Sequence, residues 1–189
     1  MYRPELDKKI ENDHILSMIS FFDANVYEGE DITTAIDSPV VNKARTILKA
    51  TKTTLLSKGW YFNKKTETFS PDSNGMIKLP PNILSIHYKD LCIGEYYVTA
   101  GGYLSEIDGK YEFSKAIELD YIVNTPYSLL SALFNQYLKL SATVNYGEFI
   151  LDNHKILKPM YKEVKQLYIN LLDEHNQYTR PNFIKNTYI

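Results

Sequence analysis

The side chains best suited to chemistry in this 189-residue chain are few and scattered. His14, His87, His154 and His175 show no pair at metal-ligand spacing, and no His-Glu-x-x-His motif is present. Cys92 stands between Leu91 and Ile93, where a buried and inert thiol is expected, and as a lone cysteine it forms no internal disulfide. The stretch Gly102 to Lys110 ends in Gly-Lys, but its spacing is too long for a phosphate loop. Tyr111 also stands where the magnesium-binding hydroxyl belongs. Asp23 and Asn25 open an EF-hand-like pattern, yet Glu28 replaces the turn glycine and Thr34 the bidentate glutamate. No Gly-x-Ser-x-Gly elbow occurs. No catalytic, cofactor-binding or metal-binding set emerges, so neither an enzyme nor a cofactor is expected.

The elements that would position any site are plainer. Asp7 or Asp13 is expected to cap a first helix carrying Ile15, Met18, Ile19 and Phe22 on one face. Ser38-Pro39 starts a second helix, with Val40, Ala44, Ile47, Leu48, Thr51 and Leu55 as its stripe. Arg45, Lys49 and Lys52 read as its solvated side, and Gly59 ends it. From Trp60 to Ile122 the pattern is aromatic and β-branched, broken by turns. Asn74-Gly75 predicts a hairpin joining Thr68-Phe69 to Ile77-Lys78-Leu79. Gly101-Gly102 and Asp108-Gly109 separate Tyr96-Tyr97-Val98, Tyr103-Leu104 and Tyr111-Glu112-Phe113, and Glu118 to Val123 reads as a closing strand.

After Pro126, Leu130, Leu133, Phe134, Tyr137, Ser141 and Val144 define a third helix stopped at Gly147. Asp152 or Asn153 is expected to cap a fourth, with Ile156, Met160, Val164, Leu167 and Leu171 on its face and an end near His175. Pro159 allows regular helix to begin as late as Lys158. Each helix has one apolar stripe and needs a partner. The fold expected is α+β: an antiparallel four-helix bundle (1–59 and 126–175), a β-rich insertion (60–125) and an extended tail (176–189).

Composition narrows the function. Twenty-one basic against 23 acidic residues give a net charge of −2, which argues against a protein built to grip nucleic acid through its phosphates. No apolar stretch near Met1 reads as a signal peptide, and no run of about 18 apolar residues reads as a membrane span. The expectation is a soluble protein made in a reducing cytoplasm. Sixteen tyrosines against one tryptophan point to association, since tyrosine is enriched at interfaces. Tyr96, Tyr97, Tyr103, Tyr111 and Tyr121 of the insertion are the candidate contact residues.

One stretch is more specific. Ser38-Pro39-Val40-Val41-Asn42-Lys43-Ala44-Arg45-Thr46-Ile47-Leu48, followed by Leu55-Leu56-Ser57-Lys58-Gly59-Trp60-Tyr61-Phe62-Asn63, resembles the tail tubular protein A family. These are the head-to-tail adaptors of short-tailed, podovirus-type bacteriophages. Pro71-Asp72, Asn74-Gly75, Ile77-Lys78-Leu79-Pro80 and Asn82 to Ile86 continue the likeness. Upstream, Glu11 to Ile19 is similar to the family's first helix. Beyond Ile86 the likeness thins to Gly101-Gly102-Tyr103-Leu104, Phe113 and Tyr146-Gly147. The family often has Leu-Pro and Ala-Ala-Arg where Thr125-Pro126 and Leu140-Ser141-Ala142 stand. Gly59, Trp60, Phe62, Asn63, Gly75 and Pro80 are the architectural residues: Gly59 ends the helix, Trp60 and Phe62 anchor the insertion, and Pro80 stops the hairpin.

The resemblance implies a virion structural protein made in a bacterial host. It would be a head–tail connector forming a ring of about twelve copies beneath the portal and above a nozzle resembling tail tubular protein B. Tail fibres are a further partner to test. Viral DNA would pass through the lumen without sequence-specific binding during ejection. A tail of aromatic and polar residues without periodicity is expected to dock the portal through Tyr178, Phe183, Ile184, Tyr188 and Ile189. Rival readings are a head-completion or tail-terminator ring of a long-tailed phage, and a small DNA-binding protein or enzyme.

Overall fold

The computed structural model describes residues 3–22, 38–88, 96–151 and 154–179, with the side chains of His87 and Tyr88 left aside. Cys92, the calcium-like stretch 23–37, the cap candidates Asp152 and Asn153, and Phe183, Ile184, Tyr188 and Ile189 lie outside the described residues. The fold is mixed helix and strand, an α+β protein. It divides into two compact units, one comprising Met1–Leu55 with Pro126–Ile189 and the other Leu56–Thr125.

The helical unit begins with α1, Pro4–Phe22. It starts earlier than a cap at Asp7 or Asp13 would allow. Proline suits the first helical position, and the Asp7 N–H already donates to Arg3 O at 3.1 Å. The Asp7 carboxylate instead accepts from Ser128 N at 2.8 Å and Ser128 Oγ at 3.2 Å, binding α1 to the 3-10 turn Tyr127–Leu129. Helix α2 (Pro39–Leu56) starts at the Ser38-Pro39 signal. Its buried stripe is Val41, Ala44, Leu48, Thr51 and Leu55, and Val40 is exposed. Position 41, not 40, stands three residues before Ala44 on the core-facing side.

Helix α3 (Ala132–Ile150) is capped by Ser131, whose Oγ accepts from Phe134 N at 3.1 Å. It runs through Gly147 instead of stopping there. A Cβ at Gly147 would lie 2.5 Å from Phe22 Cζ and 2.8 Å from Leu157 Cδ2, so this glycine makes room for close packing. Phe134, Leu138, Ala142, Val144 and Tyr146 are all buried, covering much of the circumference of α3. That burial is the mark of a helix packed on several sides. A 3-10 turn, His154–Leu157, leads into α4, Lys158–Thr179, with Pro159 in the first turn where no N–H is missed. Leu157, Met160 and Leu171 are buried, Val164 and Leu167 are half-buried, and Ile156 is exposed. Helix α4 passes His175 and ends at Thr179, whose Oγ1 donates to His175 O at 2.8 Å.

In the β-rich unit, β1 (Lys64–Phe69), β2 (Ile83–Tyr88) and β5 (Ile117–Val123) form an antiparallel sheet in the order β1-β5-β2. Strands β3 (Tyr96–Val98) and β4 (Leu104–Glu106) form a second, two-stranded sheet. The Asn74-Gly75 turn is present: Gly75 has φ +78°, and Asp72 Oδ1 accepts from Asn74 N and Met76 N. It does not join paired strands, which corrects the hairpin expected there. Strand β1 pairs with β5, from Lys64 opposite Ile122 to Phe69 opposite Ile117. Segment 77–79 lies along β4 instead, with Leu104 N donating to Ile77 O and Leu79 N to Gly102 O, both at 2.9 Å.

Side-chain chemistry explains the exchange. β1 carries Lys64, Thr66 and Glu67, which find Asp120 and Tyr121 on β5. Ile77 and Leu79 are apolar and join Leu104, Phe113 and Leu119 in the core of this unit. Tyr111-Glu112-Phe113 forms no strand: after the Asp108-Gly109 turn, which returns Glu106 N to Lys110 O at 2.7 Å, Phe113 N donates to Gly75 O at 2.7 Å.

Candidate assembly surfaces

The step from α2 into β1 is organised by Asn63, which is fully buried. Its Nδ2 donates to Leu56 O at 2.9 Å and Val123 O at 3.2 Å, while Oδ1 accepts from Trp60 N at 2.6 Å. Its own carbonyl accepts from Val123 N at 2.9 Å. One amide therefore ties Leu56, the Trp60 turn and the end of β5, all within the β-rich unit. Gly59 makes the turn possible at φ +74°, and a Cβ there would lie 2.9 Å from Ile122 Cδ1. Trp60 is buried, Phe62 is half-buried with its ring 5.2 Å from Tyr61, and Pro80 O accepts from Ile83 N at 3.4 Å. The Asn63 amide was visible in sequence only as part of a motif, because an asparagine after an aromatic turn looks like any turn residue.

The tyrosines of the insertion divide. Tyr97 and Tyr111 are exposed, Tyr103 is half-buried, and Tyr96 turns inward to within 6.0 Å of the Phe113 ring. Tyr121 belongs to the interior. It is 3% exposed, its ring is 5.7 Å from that of Phe69, and its hydroxyl donates to Glu67 Oε2 at 2.6 Å. Burial, with Glu67 beside it, raises that phenol to about 12. Tyr178 is 68% exposed but sits on α4, so residues 176–179 are helix and not extended arm.

The basic side of α2 is not uniformly solvated. Arg45 and Lys49 both approach Glu11 Oε1 at 3.7 Å. Lys52 is buried, with Nζ 4.0 Å from the centroid of the Tyr127 ring. Burial lowers its pKa to about 8, against the pull of Asp7 and Glu11. The sequence pattern missed this because Lys52 adjoins Thr51 on the edge of the buried stripe, where a lysine stem packs as an apolar chain.

A groove of about 520 Å³ runs between α2, α3 and α4. Ile47, Leu55, Val144 and Val164 line it, with Phe149 and Tyr161 as aromatic walls. Lys43 Nζ stands 3.8 Å from the Phe149 ring centroid, and Tyr161 Oη donates to Glu148 Oε1 at 2.6 Å. That hydrogen bond raises the Tyr161 pKa. Among the described residues, no three His, Cys, Asp or Glu side chains converge as a metal site, and no helix is long and apolar enough to cross a membrane.

A search of curated proteins finds no match to the chain. A family model described as tail tubular protein matches residues 27–181, taking in both the Asn63 turn and the groove. On that match the chain belongs to the tail tubular protein family and is a structural component of the bacteriophage tail.

Proposed function

We propose that this protein is the head–tail adaptor of its virion, a ring of about twelve copies joining the portal to a tail nozzle and continuing the DNA channel. The observation that carries the reading is the extent of the family match: residues 27–181 include α2, α3 and α4 of the helical unit and the whole insertion. Assembly, not catalysis, is its work. The four helices act as an antiparallel bundle, with α3 holding α1 through Phe22 and Tyr146 and α4 through Tyr137 and Tyr168. Tyr97 and Tyr111 offer subunit or nozzle contacts from the insertion.

Portal docking falls to the chain beyond Thr179, where Phe183, Ile184, Tyr188 and Ile189 are the apolar anchors. A net charge of −2 suits a lumen through which DNA slides without sticking. Co-sedimentation with portal rings tests the reading. The full chain pellets with them, and a chain ending at Thr179 keeps its helix content but stays in the supernatant. Failure of the full chain to pellet would contradict the adaptor role.

A further inference from the structure

The groove between α2, α3 and α4 combines an apolar trough with cationic rims. Lys43 lines it. Lys158 and Lys165 stand three residues before and four residues after Tyr161 on α4, on the same face, and both are exposed. Of the basic residues of α2 only Lys43 is among those lining the groove, since Arg45 and Lys49 turn to Glu11 and Lys52 to the Tyr127 ring. Glu148 is the lone anion of the lining, and its Oε1 accepts the Tyr161 hydroxyl. Such a trough fits a peptide that alternates apolar anchors with carboxylates.

One stretch of this chain outside the described residues has that composition. Residues 23–37 hold Asp23, Glu28, Glu30, Asp31 and Asp37 with no lysine or arginine, and Val26, Tyr27, Ile32 and Ile36 among them. The C-terminal residues 180–189 carry Arg180 and Lys185 with no acid, the wrong sign for lysine rims. We infer that the groove of each copy receives residues 23–37 of a neighbouring copy, as a heterologous contact that repeats around the assembly. A ring built from one chain needs two unlike, complementary surfaces on every copy, and a cationic groove and an acidic segment meet that need. A segment of this length reaches out and back by roughly 25 Å, far enough to cross to a neighbour. The inference rests on the ring reading and names its subunit contact.

Charge exchange between full-length chains tests it. A groove variant carries Lys43→Glu with Lys165→Glu, and a segment variant carries Glu28→Lys, Glu30→Lys and Asp31→Lys. Circular dichroism first shows that both fold. Each variant alone self-associates about tenfold or more weakly than the unaltered chain, because like charges now face each other. Mixed one to one, they form rings of unaltered mass in which the two alternate, measured by native mass spectrometry. Undisturbed assembly of either variant, or no recovery on mixing, overturns the inference while leaving the ring reading intact. An unaltered chain that stays monomeric even with portal present overturns both.

Discussion

Asn63 in the β-rich unit and Tyr127 in the helical unit are both buried polar side chains, and the two units treat them in opposite ways. Each hydrogen-bonding group of the Asn63 amide is engaged, to Leu56, Trp60 and Val123. Tyr127 is 4% exposed, and its hydroxyl has no hydrogen-bonding partner among the described residues. Burial, with Glu11 and Asp7 nearby, holds its pKa well above the usual phenol value. The helical unit is held by its packed stripes and tolerates an imperfect polar contact among them. The β-rich unit has short strands and a small core, so one saturated amide fixes where its first strand begins and its last strand ends.

The contrast breaks most visibly at Asn63. Asn63→Ala strands Leu56 O, Val123 O and Trp60 N in the interior and is expected to cost about 4 kcal/mol. Denaturant titration followed by Trp60 fluorescence reads it. A cost below about 1 kcal/mol would mean that the amide is dispensable. In the helical unit the matching loss is one of packing. Leu171→Ala, at a fully buried position, is expected to cost about 3 kcal/mol in the same titration, and half-buried Leu167→Ala less.

A third test is specific to the helical unit. His14 is buried with its pKa lowered to about 4, chiefly by burial and further by Lys139, while Asn135 and Asp13 pull the other way. Above its ordinary value of 6.5 the imidazole is neutral whether folded or not, and its contribution to stability is complete. Below that value the unfolded chain gains a proton that the folded chain refuses, so stability falls as the pH drops from 6.5 towards 4. The loss approaches about 3 kcal/mol at the lower end. His14→Gln should flatten that part of the stability–pH curve, and an unchanged slope would mean that His14 does not carry it. Tyr127→Phe removes a hydroxyl that donates to nothing described and should change stability by less than about 0.5 kcal/mol.

The helical unit was largely legible because its signals are local. Ser38-Pro39 and the apolar spacing of α1 and α2 need only the geometry of a helix turn. The errors fell where a residue's role depends on a distant neighbour. Gly147 looks like a helix stop until Phe22, far away in the chain, is seen packed against it. Lys52 looks solvated until Tyr127 is placed beneath it. In the β-rich unit such dependence is the rule. The partner of β1 lies at Ile117–Val123, beyond three other strands, and no turn chemistry at Asn74-Gly75 could announce it. Tyr121 could not be told from Tyr97 or Tyr111 by residue type, because its place in the central strand of the sheet decides its burial.

The contrast also separates roles in assembly. In the proposed adaptor, exposed Tyr97 and Tyr111, the groove and the C-terminal anchors would supply the contacts, while Asn63 and the helical stripes hold the two units folded. The adaptor reading is tested most directly by one electron-microscopy image set of the full chain mixed with portal rings. Rings of this protein are expected to cap one face of the portal, with matching symmetry and an open central channel. Bare portal rings beside free monomers would contradict it.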